Sequence, residues 1–482
     1  MKISEKYEAI IGLEIHAQLL TKTKAYSSDE NSYGDKPNTK VSPISLGHPG
    51  TLPVSNKKVI DYAIKMGLAC NSKITKNNEY ARKNYFYADL PKGYQITQDT
   101  TPICNGGYIT IKKTDNLSKK IHITRIHMEE DAGKSIHDLD PFNTLIDLNR
   151  AGVPLIEIVS EPEITDGEEA YQYIQEIRKI VRYLDICDGN MEEGNLRCDA
   201  NISVKLKKSK KLGTKVEIKN MNSTSNVKKA IEYEIKRQIQ ILENEEEVTH
   251  ETRSYDALKN ITISMRHKEK DNDYRYFPEP DLQPIIITKD YIEDIKEKLP
   301  LLPNQILSKL TNEFGLSQYD SMVIIEDKDI ANYALELLNK TKHHKAAANI
   351  IIGPIKSFLN MNGINITNFP ITPSKIVSLI DLIHQGKVSN SIAISKIFPI
   401  MIESNLSAEE IALSNNWTQD SNANSISEFI NQSLQKYPEK VEEYKSGKKG
   451  LIGLFMGEIM KLSKGKADPK LANKLLKEKL ER

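Results

Sequence analysis

Cysteine is scarce in this chain. Cys70, Cys104, Cys187 and Cys198 are the four in 482 residues, and no two form a CxxC pair. That argues against a disulfide framework and against a thiolate zinc site. Long apolar runs are missing too. No stretch of about 18 uncharged apolar residues could span a bilayer, and the opening MKISEKYEAIIGLEI has no apolar signal core. A reducing, cytoplasmic setting with no membrane is expected. Net charge is nearly absent, at +1, so no global field marks a nucleic-acid binder. The imbalance is local: from Lys445 to Arg482 about 11 basic residues stand against about 4 acidic ones, a basic tail. Phosphate-loop signatures are also lacking. DAGKS, Asp131 to Ser135, ends like GxxxxGK[ST], but the first glycine would fall on Met128. No GxGxxG opens a helix after a strand, so a Walker-type or dinucleotide domain is disfavoured. Any ATP would be held on a sheet floor through metal-held phosphates. There is no Ser-His or Cys-His signature of a covalent nucleophile.

What is present is a soluble globular composition, 39% hydrophobic and 28% charged. The length calls for two or three domains. The most informative stretch is DGNMEEGNLRCDANISVKL, Asp188 to Leu206. Leu196, Cys198, Ala200, Ile202, Val204 and Leu206 alternate with Arg197, Asp199, Asn201, Ser203 and Lys205. Period two means a strand with one apolar and one polar face. An acid, a base, an amide and a hydroxyl in one row suggest a floor that holds something charged. Similar alternation runs through Ala9 to Ala17, Lys215 to Lys219 and Ile261 to Arg266. One-sided strands of this kind point to an antiparallel sheet with a wet face. Two helices interrupt them. One follows a Thr165-x-x-Glu168 capping box, and the other carries Val227, Ile231, Ile235, Ile239 and Leu242. Near Asp290 the pattern changes to short amphipathic helices separated by Pro and Asn. The expected fold is α+β: a largely antiparallel-sheet cradle over residues 1–290, then an all-helical C-terminal region divided into a helical domain, 291–407, and a basic helical tail domain, 408–482. Asn415 to Ser425 reads as a linker or loop.

Three acidic places stand out. Glu14 and His16 share one face of a strand, although an isolated E-x-H is more often a surface pair. Glu129, Glu130 and Asp131 follow the strand marked by Ile121 and Ile123 and precede a Gly turn. Glu157 lies inside the apolar VPLIEIV, where a lone carboxylate is costly unless it is paired or binds a metal. Arg150 is the bland partner. Oxygen-rich sites with one His suit Mg²⁺ or Mn²⁺ better than Zn²⁺. His127 in a strand is more often a satisfied core or rim histidine. Two aromatic blocks, RKNYFYADLPKGYQITQ and YRYFPEPDL, place rings beside cations, where they can stack on bases or on an adenine ring. Taken alone, the tyrosines read as a packed corner.

In order, GLEIHAQL, RKNYFYADLPKGYQ, HMEEDAGK, NRAGVPLIEIVSEP, DGNMEEGNLRCDANISV, EIKNMNS, MRHKEKDNDYRYFPEPDL and GLFMGEIMKLSKGKADPK resemble the B subunits of aspartyl/glutamyl-tRNA amidotransferases over nearly the full chain. The resemblance implies a trimer completed by glutaminase (A) and small (C) subunits. It implies that this chain binds a misacylated tRNA and, with ATP and Mg²⁺, phosphorylates its aminoacyl carboxylate. It implies His16, Glu130 and Glu157 as metal ligands, with Glu14 and Glu129 ranking behind them. Asp199 is a candidate for a second metal. Arg197, Lys83 and Arg275 are the candidate clamps for phosphate or carboxylate, and Asn201, Ser203 and Tyr85 the candidate ATP contacts. Many relatives of this kind carry four zinc-binding cysteines near the N-terminus. Here Tyr26-Ser27-Ser28-Asp29 and Val41 to Ser45 stand instead, so no structural zinc is expected and packing must hold the loop. The rival readings are a non-catalytic tRNA-binding scaffold and a free-standing metal-dependent hydrolase.

Overall fold

The computed structural model describes residues 6–112, 117–137, 139–265, 274–418, 423–463 and 465–481. It divides into two compact units, Met1–Pro303 and Asn304–Arg482. The first unit is built in the order β1 (Tyr7–Gln18), α1 (Lys57–Ala69), β2 (Ala81–Asn84), β3 (Tyr94–Thr97), β4 (Ser118–Glu130), β5 (Pro154–Ser160), α2 (Gly167–Tyr183), β6 (Leu196–Leu206), β7 (Val216–Lys219), α3 (Thr224–Glu243), β8 (Glu251–Asp256), β9 (Ile261–Ser264), β10 (Phe277–Pro278) and α4 (Lys289–Glu297), with shorter strands between. The central sheet runs β9-β8-β7-β6-β1-β5-β4 and continues into short strands beyond β4. Its pairings along that path are antiparallel except β7 with β8. The small β10-β2-β3 sheet stands apart from it.

Alternation decides the two faces. Ile11, Leu13 and Ile15 of β1 and Cys198, Ala200 and Ile202 of β6 are buried on one side, with Ile156 and Ile158 of β5. Ala63 and Ile64 of α1, Ile174 and Ile177 of α2, and Val227 and Ile231 of α3 pack into the same core. Each of the isoleucine, leucine and valine side chains among them contributes about 1.5–3 kcal/mol on burial. The opposite face keeps its polar residues. All four cysteines are free and buried, and burial pushes the Cys70 thiol up to about 12, so they act as small apolar groups.

The start of α2 differs from expectation by one residue. Asp166, not Thr165, is the N-cap, accepting the Glu169 N–H, and Glu169 reaches back to the N–H and hydroxyl of Thr165. Glu169 also takes Lys119 Nζ at 2.6 Å, a partner outside the helix that selects this register.

The hydropathy pattern changes at Asp290, but the compact-unit division falls at Pro303. The reason is α4, whose Ile295, with Tyr291 and Ile292, packs on the first unit's core. Residues 266–273 of MRHKEKDNDYRYFPEPDL lie outside the described residues, as does part of the expected linker, 419–422.

The second unit is helical, including Pro303–Asn312 at the boundary, then Gln318–Ile325, Lys328–Lys340 and Pro373–His384. Pro354 sits in a π-turn, Ile351–Ile355; a proline inside a helix cannot donate to the ladder and widens it. Its last helices, Ala423–Lys436, Pro438–Lys445, Ile452–Leu462 and Pro469–Leu480, close their own small core of Ile426, Ile430, Phe455, Ile459 and Leu476. Among the described residues no helix is long and apolar enough to cross a membrane.

Candidate functional site

The polar face of the central sheet brings remote segments into single rungs. His16 on β1 lies opposite Glu157 on β5 and Arg197 on β6. Glu157 in turn lies opposite His127 on β4. One rung therefore reads Arg197, His16, Glu157, His127 across four strands. Glu129, two residues from His127, points the same way. His16 Nε2 is 3.3 Å from Glu157 and 3.7 Å from Glu129, and His127 Nε2 is at the same two distances from the same carboxylates.

The fields are strong because the groups are nearly dry. Burial lowers the proton affinity of both imidazoles, but the carboxylates outweigh it. His16 is raised by Glu157 and Glu129, and His127 is raised to about 9. Burial works against ionised Glu157 as well, yet His127 and His16 hold it well below the ordinary carboxylate range. Lys83, half-buried, stays protonated against its burial chiefly through Glu129.

Glu130 does not join them. Its carboxylate is on the other side of β4, where it pairs with Lys92 and accepts the Ile96 N–H. There it lines a pocket of about 260 Å³ with Tyr26, Lys92, Tyr94 and Gly152. The cause is an irregularity in β4. Val159 faces Arg125, but the next residue, Ser160, faces Ile123. One residue is skipped, and a one-residue slip exchanges the two faces of a strand. Ile121 and Ile123 are buried before the bulge, Ile126 and Met128 after it. Glu129 therefore takes the place on the wet face that unbroken alternation from Ile121 and Ile123 would give to Glu130.

A second carboxylate group lies one rung away. Glu14 faces Asp199 across β1 and β6, and Glu217 of β7 completes the trio. Lys219 Nζ bridges Asp199 at 2.5 Å and Glu217 at 2.8 Å. Asn201 donates to Glu14 at 2.8 Å. Burial and then Glu157 push the Glu14 carboxyl up.

The remaining candidates separate. Arg197 donates to Asp131 at 2.6 Å, and Gln18 donates to the same oxygen at 2.7 Å. Among the described residues the buried Arg197 Nε has no hydrogen-bond partner. Arg150 does not pair with Glu157; it donates to the carbonyls of Ala132 and Gly133. Ser203 is buried on β6 opposite Ile10. Tyr85 is half-buried, and its hydroxyl reaches Gln95 at 3.4 Å. Arg275 is exposed, in a left-handed conformation with φ of 46°, and its carbonyl accepts from Asn84 at 2.8 Å. Sequence reasoning gives no site role to His127, Asp131, Glu217 or Lys219. Wet-face alternation marks Glu217 and Lys219, but only pairing with β6 gives them meaning. The cysteine-free N-terminal loop is not held by packing alone: Asp29 accepts hydrogen bonds from the hydroxyls of Ser27, Ser42 and Ser45 and from the Ser42 N–H.

Donor chemistry tests the fit of a metal. His16, Glu129 and Glu157 offer one nitrogen and two carboxylate oxygens within 4.8 Å of one another. Adjacent ligands of an octahedral ion bound at about 2.1 Å lie about 3 Å apart. The spacing and the oxygen-rich set fit Mg²⁺ or Mn²⁺. The unpartnered Arg197 Nε beside them is the kind of buried donor that an anionic ligand satisfies.

A sheet floor of this kind gathers carboxylates, imidazoles and flanking cations on one face, the groups a site for anionic ligands requires. Residues 9–293 match the GatB/GatE catalytic domain and residues 332–480 the GatB domain. The chain is 47% identical over 471 residues to the B subunit of the aspartyl/glutamyl-tRNA(Asn/Gln) amidotransferase of Thermodesulfovibrio yellowstonii, covering 98% of each. It is 46% identical to the protein of the same name in Rippkaea orientalis, over 99% of this chain and 98% of that one. The corresponding protein of Thermoanaerobacter pseudethanolicus is also 46% identical, over 98% and 99%. The chain belongs to this family of amidotransferase B subunits.

Proposed function

We propose that this chain works in an assembled amidotransferase with glutaminase (A) and small (C) subunits, in a cytoplasmic setting. It uses ATP and Mg²⁺ to phosphorylate the side-chain carboxylate of Glu-tRNA(Gln), Asp-tRNA(Asn) or both. Ammonia from the glutaminase then gives Gln-tRNA(Gln) or Asn-tRNA(Asn). The observation that carries this reading is the convergence of His16, Glu129 and Glu157 on one sheet face beside Arg197 and Lys83.

The chemistry explains why these residue types meet. A carboxylate is a poor acyl donor because oxide is a poor leaving group. Its oxygen attacks the γ-phosphorus of ATP, the bond to ADP breaks, and an acyl phosphate forms. The ammonia nitrogen then attacks the acyl carbon, the C–O bond to phosphate breaks, and inorganic phosphate leaves with the amide formed. Two anions must approach in the first step, so positive charge must be fixed beforehand. A metal bound by His16, Glu129 and Glu157 would polarise the phosphoryl oxygens and spread the developing charge. Arg197, fixed by Asp131, presents a guanidinium with a free donor edge to an anion. Lys83 supplies a second cation, kept protonated by Glu129. Asn201 and Ser203 line the same floor, and Arg275 lies in the loop before β10. Glu14, Asp199 and Glu217, with Lys219 between them, offer a second cation position that a metal could take only by displacing the ammonium. The basic tail from Lys445 to Arg482 is assigned to tRNA phosphates.

The scaffold reading is not favoured, because a protein that only bound tRNA would have no need to keep buried Glu157 and Glu129 beside two imidazoles. The test is glutamine- and ATP-dependent amidation of misacylated tRNA by the reconstituted trimer. Glu157→Gln should abolish it while leaving tRNA binding in place. Wild-type rates in that variant would refute the metal assignment.

A further inference from the structure

The loop that joins β2 to β3 and the segment leading into β10 carry an aromatic array that the phosphate chemistry does not use. Tyr87 meets Tyr85 edge-on at 5.8 Å, Tyr85 meets Tyr274 at 6.0 Å, and Tyr274 meets Tyr276 at 6.0 Å. The inner rings are half-buried, while the outer ones are open. Tyr87 is 55% exposed, Tyr276 42% and the adjoining Phe86 88%. A contiguous set of exposed rings rimmed by polar residues is the kind of surface that marks an interaction site. This array is also continuous with the strand that carries the candidate site: the Tyr85 hydroxyl reaches Gln95 at 3.4 Å, Gln95 donates to the Glu130 carbonyl of β4 at 2.6 Å, and the Lys83 ammonium lies 5.0 Å from the Tyr274 ring centre.

We propose that Phe86, Tyr87 and Tyr276 form a stacking platform for the unpaired 3′-terminal bases of the tRNA, resting on the reading that an aminoacyl-tRNA is the substrate. Three observations select this occupant. The exposed rings come from two separate segments and outnumber the single base of a nucleotide, whereas a single-stranded end offers successive bases, each with a π-face. The nearby cation Arg275 suits a phosphodiester backbone. The array leads to the carboxylate–imidazole centre, so bases seated at its rim would direct the esterified amino acid inward. Asn84 keeps the two segments together: its N–H donates to the Tyr274 carbonyl at 2.9 Å and its side chain to the Arg275 carbonyl at 2.8 Å. Arg275 is held at φ 46° by that clamp, a backbone conformation rarely adopted without a local cause. Asn84 is therefore a positioning residue for the platform.

The experiment uses the assembled enzyme and a misacylated tRNA whose 3′-terminal base is 2-aminopurine, whose fluorescence is quenched by stacking. The unaltered enzyme should quench it on binding. Phe86→Ala with Tyr276→Ala should lose the quench and raise KM for aminoacyl-tRNA about 10- to 30-fold, with KM for ATP unchanged, as expected for one or two lost base–ring contacts. Phe86→Trp should restore the quench. An undiminished quench and KM in the double variant would overturn the proposal. So would a rise in KM for ATP alone, which would assign the rings to the nucleotide's adenine. A quench by the unaltered enzyme without any amidation would support the platform and count against the proposed reaction.

Discussion

Glu129→Gln removes one negative charge from the proposed metal centre while keeping the side chain's shape, and its neighbour Glu130 provides an internal control. The size of the effect follows from His127, which is raised from an ordinary 6.5 to about 9. At about 1.4 kcal/mol per tenfold in proton affinity, Glu129 and Glu157 together favour one positive charge there by about 3 kcal/mol net of the burial that opposes it. A divalent ion carries twice that charge, and Glu129 is one of the two carboxylates. Its neutralisation should therefore cost about 3 kcal/mol, on the order of 100-fold in affinity. Glu130→Gln, whose carboxylate faces Lys92 on the far side of β4, should stay within about threefold of the parent. The measurement is Mn²⁺ titration of the assembled enzyme without ATP, with free Mn²⁺ followed by electron paramagnetic resonance. Equal losses in the two variants, or the larger loss in Glu130→Gln, would refute the face assignment and the bulge that underlies it.

Metal affinity should also depend on pH. His16 is raised by Glu157 and Glu129 against its burial and must lose its proton to become a ligand, so Mn²⁺ affinity should climb as pH rises above about 6.5; calorimetry in buffers of different ionisation enthalpy should detect proton release, and none would exclude His16 as a ligand. Glu169, buried at the start of α2, is held below its ordinary range by Lys119 and Thr165 despite its burial. A depressed carboxylate contributes stability above its unfolded value of about 4.3 and loses it as pH falls through the folded value. Acid unfolding of the parent should therefore steepen below about pH 4, and Glu169→Gln should flatten that limb while costing about 1.5–3 kcal/mol at neutral pH; an unchanged acid limb would count against this role. Asp29→Ala leaves the hydroxyls of Ser27, Ser42 and Ser45 without their common acceptor, so limited proteolysis should cut between residues 26 and 50 faster than in the parent, and equal rates would show that the loop is held elsewhere.

The sequence determined more of this protein than its lack of known nucleotide-binding motifs suggests. Period-two alternation placed Glu14 and His16 on one face of β1, and Arg197, Asp199 and Asn201 on one face of β6, because a strand's geometry is local. The isolation of Glu157 among apolar neighbours already demanded partners, since an unpaired buried charge is too costly. What it left open were contacts made between strands and across turns. Glu157 found two histidines, not Arg150, because antiparallel register sets His16 and His127 on either side of it. The choice of Glu129 over Glu130 depended on a bulge midway along β4, and no alternation pattern announces where a strand skips a residue. Glu217 and Lys219 acquired a role only when β7 docked beside β6. Side-chain type and facing are written along the chain; which carboxylates share a cation is decided by register, and register is fixed only when the whole sheet closes over one core.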